Sequence, residues 1–208
     1  MLVKVLTSSF AFIVALVVLL ISAFQAATPK FEFGSSFGNI DTKNKNNTEI
    51  IHYVLPDTGN ILPNHFFWPV KVARDKLWLT LTTNPLKKTE ILLHLADKRL
   101  AASKKLIIQK EYDLGISTLT KAEKYLEETV SQEKIARQKG LGTKEVLRKL
   151  SFAVLKHWEE IDKISFSVPP SARQVVIETL EYPKRLYEDV RASCVKEGVE
   201  VVECPFFK

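Results

Sequence analysis

The chain has 208 residues, of which 46% are hydrophobic and 26% charged, and its formal net charge is +6. These proportions are typical of a globular protein and exclude general disorder, while only 7 glycines and 9 prolines argue against a sandwich or barrel with many tight turns. The lysines alternate with acidic residues, as in Glu123-Lys124 and Glu133-Lys134. This pattern indicates a solvated helix surface and not a clustered basic stripe, so nucleic acid is not an expected partner.

An uncharged apolar segment covers residues 5–24 at the amino terminus. It approaches the roughly 20 apolar residues that cross a bilayer, and Lys4 before it favours placing the following chain outside the cytoplasm. A signal-peptide cleavage site needs small residues three and one before the cut, whereas a cut after Ala26 leaves Phe24 at the first of these places. Residues 1–26 are therefore predicted to be a transmembrane anchor, with a cleaved signal segment and secretion as the alternative.

A polar linker is predicted over residues 27–60, because glycine, serine and asparagine are frequent there. Within it, residues 50–55 favour a short extended piece that ends at the turn signal of residues 56–60.

From residue 61 onward, apolar residues recur at spacings of three and four, which predicts helices. The first carries the stripe Val70, Ala73, Leu77 and Leu81, and the fourth has Thr143 as its cap. Pro183 is expected to kink the fifth helix. The predicted helices cover about residues 64–82, 85–109, 112–139, 144–165 and 172–193.

The predicted fold class is all-α. Short connections between the helices favour an antiparallel helical bundle or a short helical-hairpin solenoid of about five helices, preceded by one N-terminal transmembrane or signal helix. The helical domain covers residues 61–193, and a C-terminal tail, with a possible extended segment at residues 199–202, covers residues 194–208.

Part of the helical region resembles a known family. In order and spacing, residues 61–165 are similar to a bacterial domain-of-unknown-function family, number 5667. Such proteins usually carry one N-terminal hydrophobic segment and come mainly from candidate lineages with reduced genomes. The resemblance implies an uncharacterised helical protein of the cell envelope, and it assigns no functional residue. It is carried by Ile61-Leu62-Pro63, Pro69-Val70-Lys71, residues 74–79, residues 81–88, residues 92–100, Asp113-Leu114-Gly115 and residues 121–126.

Two candidate features remain. Cys194 and Cys204 are predicted to form a disulfide in an exported domain, whereas in a reducing compartment they would be two buried thiols. A group of aromatic residues with lysine and arginine among them has two interpretations, packing in the bundle core or contact with a membrane interface. These aromatic residues are Phe66, Phe67, Trp68 and Trp78.

No pattern predicts a catalytic, cofactor-binding or metal-binding residue. The four histidines lack the spacing of a helical zinc pair, and no glycine-rich phosphate loop or nucleophile elbow occurs. Glu159, Glu160 and Asp162 are interpreted as surface ion-pair partners of Lys156 and Lys163.

We therefore expect an extracytoplasmic helical domain on a single-pass anchor, which packs against a protein partner in the envelope. One alternative is an envelope enzyme or enzyme accessory with an unrecognised site, and another is a structural envelope protein that self-associates. A non-enzymatic role is favoured because no catalytic pattern is present.

Overall fold

The computed structural model describes residues 40–41 and 50–206. Most of these residues are helical, and the two described strands have only two residues each, which confirms the predicted all-α class. The predicted leader lies outside the described residues. None of the described helices is both long enough and apolar enough to cross a bilayer. The elements are β1 (Ile40–Asp41), β2 (Ile50–Ile51), α1 (Trp68–Leu81), α2 (Pro85–Ile108), α3 (Tyr112–Gln138), α4 (Lys144–Ser167), α5 (Pro170–Thr179) and α6 (Glu181–Glu197).

A long antiparallel hairpin of α2 and α3 forms the centre of the fold. Asn84 caps α2, since its Oδ1 accepts hydrogen bonds from the backbone N–H groups of Leu86 at 2.9 Å and Lys87 at 3.2 Å. Between the helices Lys110 adopts a left-handed φ of 67°, which lets Glu111 donate its N–H to the carbonyl of Leu106. The chain thus reverses within three residues and keeps the two helices in contact.

Helix α4 packs across this hairpin and joins two apolar clusters. Apolar residues that recur at spacings of three and four in α2, α3 and α4 are largely buried, which confirms the predicted helical periodicity of this region. One cluster gathers α2, α3, α4 and α6 and includes Leu93, Leu126, Leu150, Val154, Leu186 and Val190. The other gathers α2, α3, α4 and α5 and includes Leu100, Ile107, Leu119, Ile161, Ile164 and Val176.

Two local predictions were wrong. The predicted fifth helix is two helices, α5 and α6, separated at Leu180. Pro183 lies in the first turn of α6, where its missing N–H leaves no hydrogen bond unmade. Thr143 precedes α4 but makes no side-chain cap, because its Oγ1 donates to Glu133 Oε1 at 2.7 Å instead.

The segments before and after the helices also belong to the folded unit. Ile51, within the predicted linker, is only 1% exposed and packs in the first cluster. The extended piece predicted at residues 50–55 is confined to the two residues of β2, which pair antiparallel with β1. In the tail, residues 199–202 form no strand, yet Phe206 stacks on Trp158 at 4.5 Å and Tyr187 donates its hydroxyl to the carbonyl of Val202.

Gly115 marks the closest approach of α3 to α2, and its replacement tests this packing. A Cβ at this position would lie 2.7 Å from Cγ1 of Ile107, and Ser103 Oγ donates to the Gly115 carbonyl at 2.8 Å. We expect Gly115→Ala to lower the free energy of unfolding by about 1–3 kcal/mol through overpacking, despite the better helix propensity of alanine. Urea unfolding followed by circular dichroism measures the change.

Gly142→Ala is the matched control, because a Cβ there meets nothing within 4 Å. Its effect should stay within about 0.5 kcal/mol. Equal stability of the two variants would contradict the close packing of α2 against α3.

Candidate functional site

Helix α1 leaves its apolar stripe exposed, contrary to the sequence-based expectation. Val70, Leu77 and Leu81 are 66%, 49% and 63% exposed, and Ala73 between them is exposed as well. Phe66, in the turn before the helix, is 87% exposed. An apolar stripe at helical spacing that faces solvent is typical of a surface for a partner.

The other side of α1 forms a groove with α2 and α3. Its volume is about 670 Å³, within the range of small-molecule sites. Pro63, Val72 and Leu114 contribute apolar surface, while Lys76 and Lys121 lie among the lining residues from α1 and α3. Trp68, Arg99 and Tyr125 also line the groove.

Arg99 is buried in this groove between two aromatic rings. Its guanidinium carbon lies 4.5 Å from the ring centre of Tyr125 and 5.7 Å from that of Trp68. Its Nη2 donates to the Tyr125 hydroxyl at 3.3 Å, whereas its Nε has no hydrogen-bond partner among the described residues. The residue is only 6% exposed, so a cation is held here at some cost in desolvation.

The four aromatic residues for which the sequence left core packing or membrane contact open fall into two groups, two exposed and two half-buried. Phe66 and Phe67, at 87% and 54% exposed, do not pack in the core. Trp68 is half-buried in the groove wall, and Trp78 is half-buried elsewhere on α1. Contact of these residues with a membrane interface stays a prediction.

A buried polar network joins α4 to the central hairpin. His157 lies between Glu123, with Nδ1 to Oε1 at 2.7 Å, and Asp97, with Nε2 to Oδ1 at 3.2 Å. The Tyr53 hydroxyl donates to the other oxygen of Asp97 at 2.6 Å. His157 and Glu123 are both 0% exposed, so the centre of this network is closed to solvent and connects the helices internally.

The network holds the imidazole as a cation. Burial alone would lower the pKa of His157, but the charge of Glu123 and hydrogen bonds to Asp97 and Glu123 outweigh it and raise the pKa to about 10. Burial, and then the charge of Asp97, raise the pKa of Tyr53 well above its usual value, which keeps that hydroxyl a donor. By contrast, burial lowers the pKa of His94 to about 4.

Sequence reasoning missed this network, although a signal was present. Asp97 lies four residues after Leu93 and three before Leu100, and Glu123 has the same relation to Leu119 and Leu126. His157 falls likewise between Val154 and Ile161 on the stripe of α4. Polar residues at core positions of three consecutive helices indicate that they meet one another.

Two of the three carboxylates assigned to ion pairs on α4, Glu159 and Glu160, do pair with the predicted lysines, but they are buried, and Asp162 forms no ion pair among the described residues. Glu159 and Glu160 are each 3% exposed, and both contact Lys156 and Lys163. Glu159 also accepts a hydrogen bond from the backbone N–H of Ile51 at 3.3 Å. Burial would raise the pKa of Glu160, but a hydrogen bond from Lys104 and the charge of Lys156 outweigh it and lower the pKa.

The two cysteines share one apolar cluster as thiols. Cys194 is buried, Cys204 is half-buried, and both pack in the cluster that contains α6. Burial, followed by the charge of Glu133, raises the pKa of the Cys194 thiol. Their common location is compatible with pairing on oxidation, and the disulfide stays a prediction.

Comparison with known proteins gives one match. A family model described as a domain of unknown function, DUF5667, matches residues 60–170, which is more than half of the chain. The matched range begins before α1 and ends at the start of α5, so it contains the exposed stripe, the groove and the helices of the buried network. Neither a curated protein nor a solved structure matches the chain.

The buried imidazolium predicts a specific pH dependence of stability. The folded-state pKa of His157, about 10, is above the ordinary 6.5, so its contribution is complete below pH 6.5 and is lost as pH rises through about 10. We expect His157→Gln to lower the free energy of unfolding by about 3–5 kcal/mol near pH 6, because it leaves two buried carboxylates without their cation. The difference from the wild type should shrink towards pH 10.

Urea unfolding at pH 6, 8 and 10 measures this difference. The exposed histidine variant His65→Gln serves as the control and should show no comparable trend. A difference for His157→Gln that is constant over the whole range would show that the histidine is not charged in the folded state.

Proposed function

The chain belongs to the DUF5667 family, a domain of unknown function, over residues 60–170. On that premise we propose that the protein is an extracytoplasmic module tethered to a membrane. In this proposal an amphipathic helix of a partner protein docks on α1. The observation that carries the proposal is the exposed apolar stripe of Val70, Ala73, Leu77 and Leu81. The remaining helices bury their stripes, whereas α1 keeps this one available for a partner.

The form of the stripe favours a helix as the partner. Its members follow one another at intervals of three, four and four residues, which is the narrow seam of paired helices. From Val70 to Leu81 it extends about 16 Å along the axis, or three turns. Ala73 near its centre is small, so the axis of a second helix can approach closely there.

A lipid surface fits this stripe less well than a partner helix. A helix that lies in a membrane interface presents one broad apolar face and one strongly charged face. In α1 the apolar residues occur on two sides, since Trp68 and Val72 face the groove while Val70 and Leu77 face solvent. The solvent-facing stripe is therefore narrow, as suits a partner helix.

The proposed location follows from the sequence. The apolar segment of residues 5–24 has the composition of an anchor, and Lys4 before it favours an extracytoplasmic domain. Docking on α1 would then take place in the bacterial envelope.

Site-specific cross-linking tests this function. A photo-reactive amino acid is placed at Leu77 of the full chain in the cells that produce it, and at the exposed Lys134 of α3 as a control position. We expect position 77, and not position 134, to cross-link to an apolar helical stripe of another protein, mapped by mass spectrometry. Val70→Asp in the same chain should lower the yield about tenfold, since it places a charge in an apolar contact.

Val195→Asp is the matched control variant, because Val195 on α6 is 65% exposed and Val70 is 66% exposed. It should leave the cross-linking yield unchanged. Cross-links from position 77 only to a second copy would establish self-association, and cross-links only to lipid would establish a membrane contact. Either result, or equal yields at the two positions, would reject the proposed function.

A further inference from the structure

We infer that the groove between α1, α2 and α3 is a binding site for a small anionic molecule, a carboxylate or phosphate attached to an apolar or aromatic group. The groove borders the exposed stripe at Ala73, which also lines it, but the inference does not rest on the docking of a partner. Nothing in the family description assigns it.

Arg99 is the first reason for this inference. It is 6% exposed, and no carboxylate of the described residues forms an ion pair with it. Burying a cation without a counter-charge is costly, and buried charges are normally paired. Its Nε also lacks a partner in the described part of the chain, so the guanidinium retains donor capacity for a ligand.

The charge of the groove lining is the second reason. Lys76, Arg99 and Lys121 are among the lining residues, and no aspartate or glutamate is. Lys71, whose Nζ lies 5.1 Å from the centre of the Trp68 ring, is a further cation near the groove. Burial, and then repulsion by Lys98, lower its pKa; the charge of Asp75 opposes this, and Arg99 adds to the lowering. An anion bound in the groove would relieve this repulsion.

The shape of the groove defines the rest of the ligand. Its volume of about 670 Å³ is large enough for an organic molecule with several rings and much larger than an inorganic ion needs. Trp68 and Tyr125 hold the guanidinium between their faces, and Pro63, Val72 and Leu114 add apolar lining. A planar guanidinium in such a position suits the two oxygens of a carboxylate or phosphate, with the apolar part of the ligand against the wall.

The test is isothermal titration calorimetry on the full chain in a neutral detergent. The probes are phenylacetate, phenyl phosphate and, as an uncharged analogue, 2-phenylethanol. We expect saturable binding of one of the anions with a Kd below about 1 mM, and binding of the alcohol at least about tenfold weaker. The anion that binds more tightly identifies the ligand class as carboxylate or phosphate.

Variants connect the binding to the groove. Arg99→Gln should weaken anion binding by about tenfold or more, because a buried charge-assisted hydrogen bond is lost. Lys134→Gln, on α3 but outside the groove lining, should bind as the wild type does. If Arg99→Gln proves unfolded by circular dichroism, the double variant of Lys76→Gln and Lys121→Gln replaces it and should weaken binding about threefold.

Three results would overturn the inference: no saturable binding of either anion, equal affinity for the alcohol, or unchanged affinity in the folded groove variants. The outcome is independent of the proposed function. Val70→Asp should leave anion binding intact, and Arg99→Gln should leave cross-linking from position 77 intact, so failure of one proposal does not imply failure of the other.

Discussion

A positive charge enclosed between two carboxylates is the constraint on which the rest of the structure depends. His157 of α4 contacts Glu123 of α3 and Asp97 of α2, and these are the three longest described helices. Apolar contacts are non-directional and tolerate small shifts of one helix along another. Hydrogen bonds of defined geometry to a buried cation do not tolerate such shifts, because each shift would leave a charged group unpaired. The network therefore fixes the relative positions of α2, α3 and α4. These positions determine how the two apolar clusters pack and where α2 and α3 form the wall of the groove.

Much of this fold is predictable from the chain, for physical reasons that differ between elements. The ends of α2 follow from Asn84 as a cap and from a connection too short for anything but a reversal. The stripes of α3 and α4 follow from apolar spacing. The division of the fifth predicted helix at Leu180 and the hydrogen bond from Thr143 to Glu133 do not follow from apolar spacing, because both depend on how neighbouring helices pack. Periodicity indicates which residues prefer burial, but it does not say what covers them, and the stripe of α1 is not covered by the described residues.

The candidate site was harder to predict than the fold. Arg99 lies among the apolar residues of α2 without any motif, and its partners Trp68 and Tyr125 come from helices before and after it. Only the folded chain brings the three together. The two surfaces of α1 then divide its residues between different kinds of contact: Val70 and Leu77 face outward, while Trp68 and Val72 close the groove. One helix thus contributes to both surfaces, and Ala73 lies where they meet.

The route by which the chain enters the domain has a mechanical consequence. Residues 51–53 do not attach at the edge of the bundle: Ile51 is inserted in a core cluster, its N–H is bonded to Glu159 of α4, and Tyr53 is bonded to Asp97 of α2. A force applied to the amino-terminal side of the chain would load these two hydrogen bonds before it could separate any pair of helices. Tension that reaches residues 51–53 would therefore act on Glu159 of α4 and on Asp97 of the charged centre, together with the apolar contacts of Ile51.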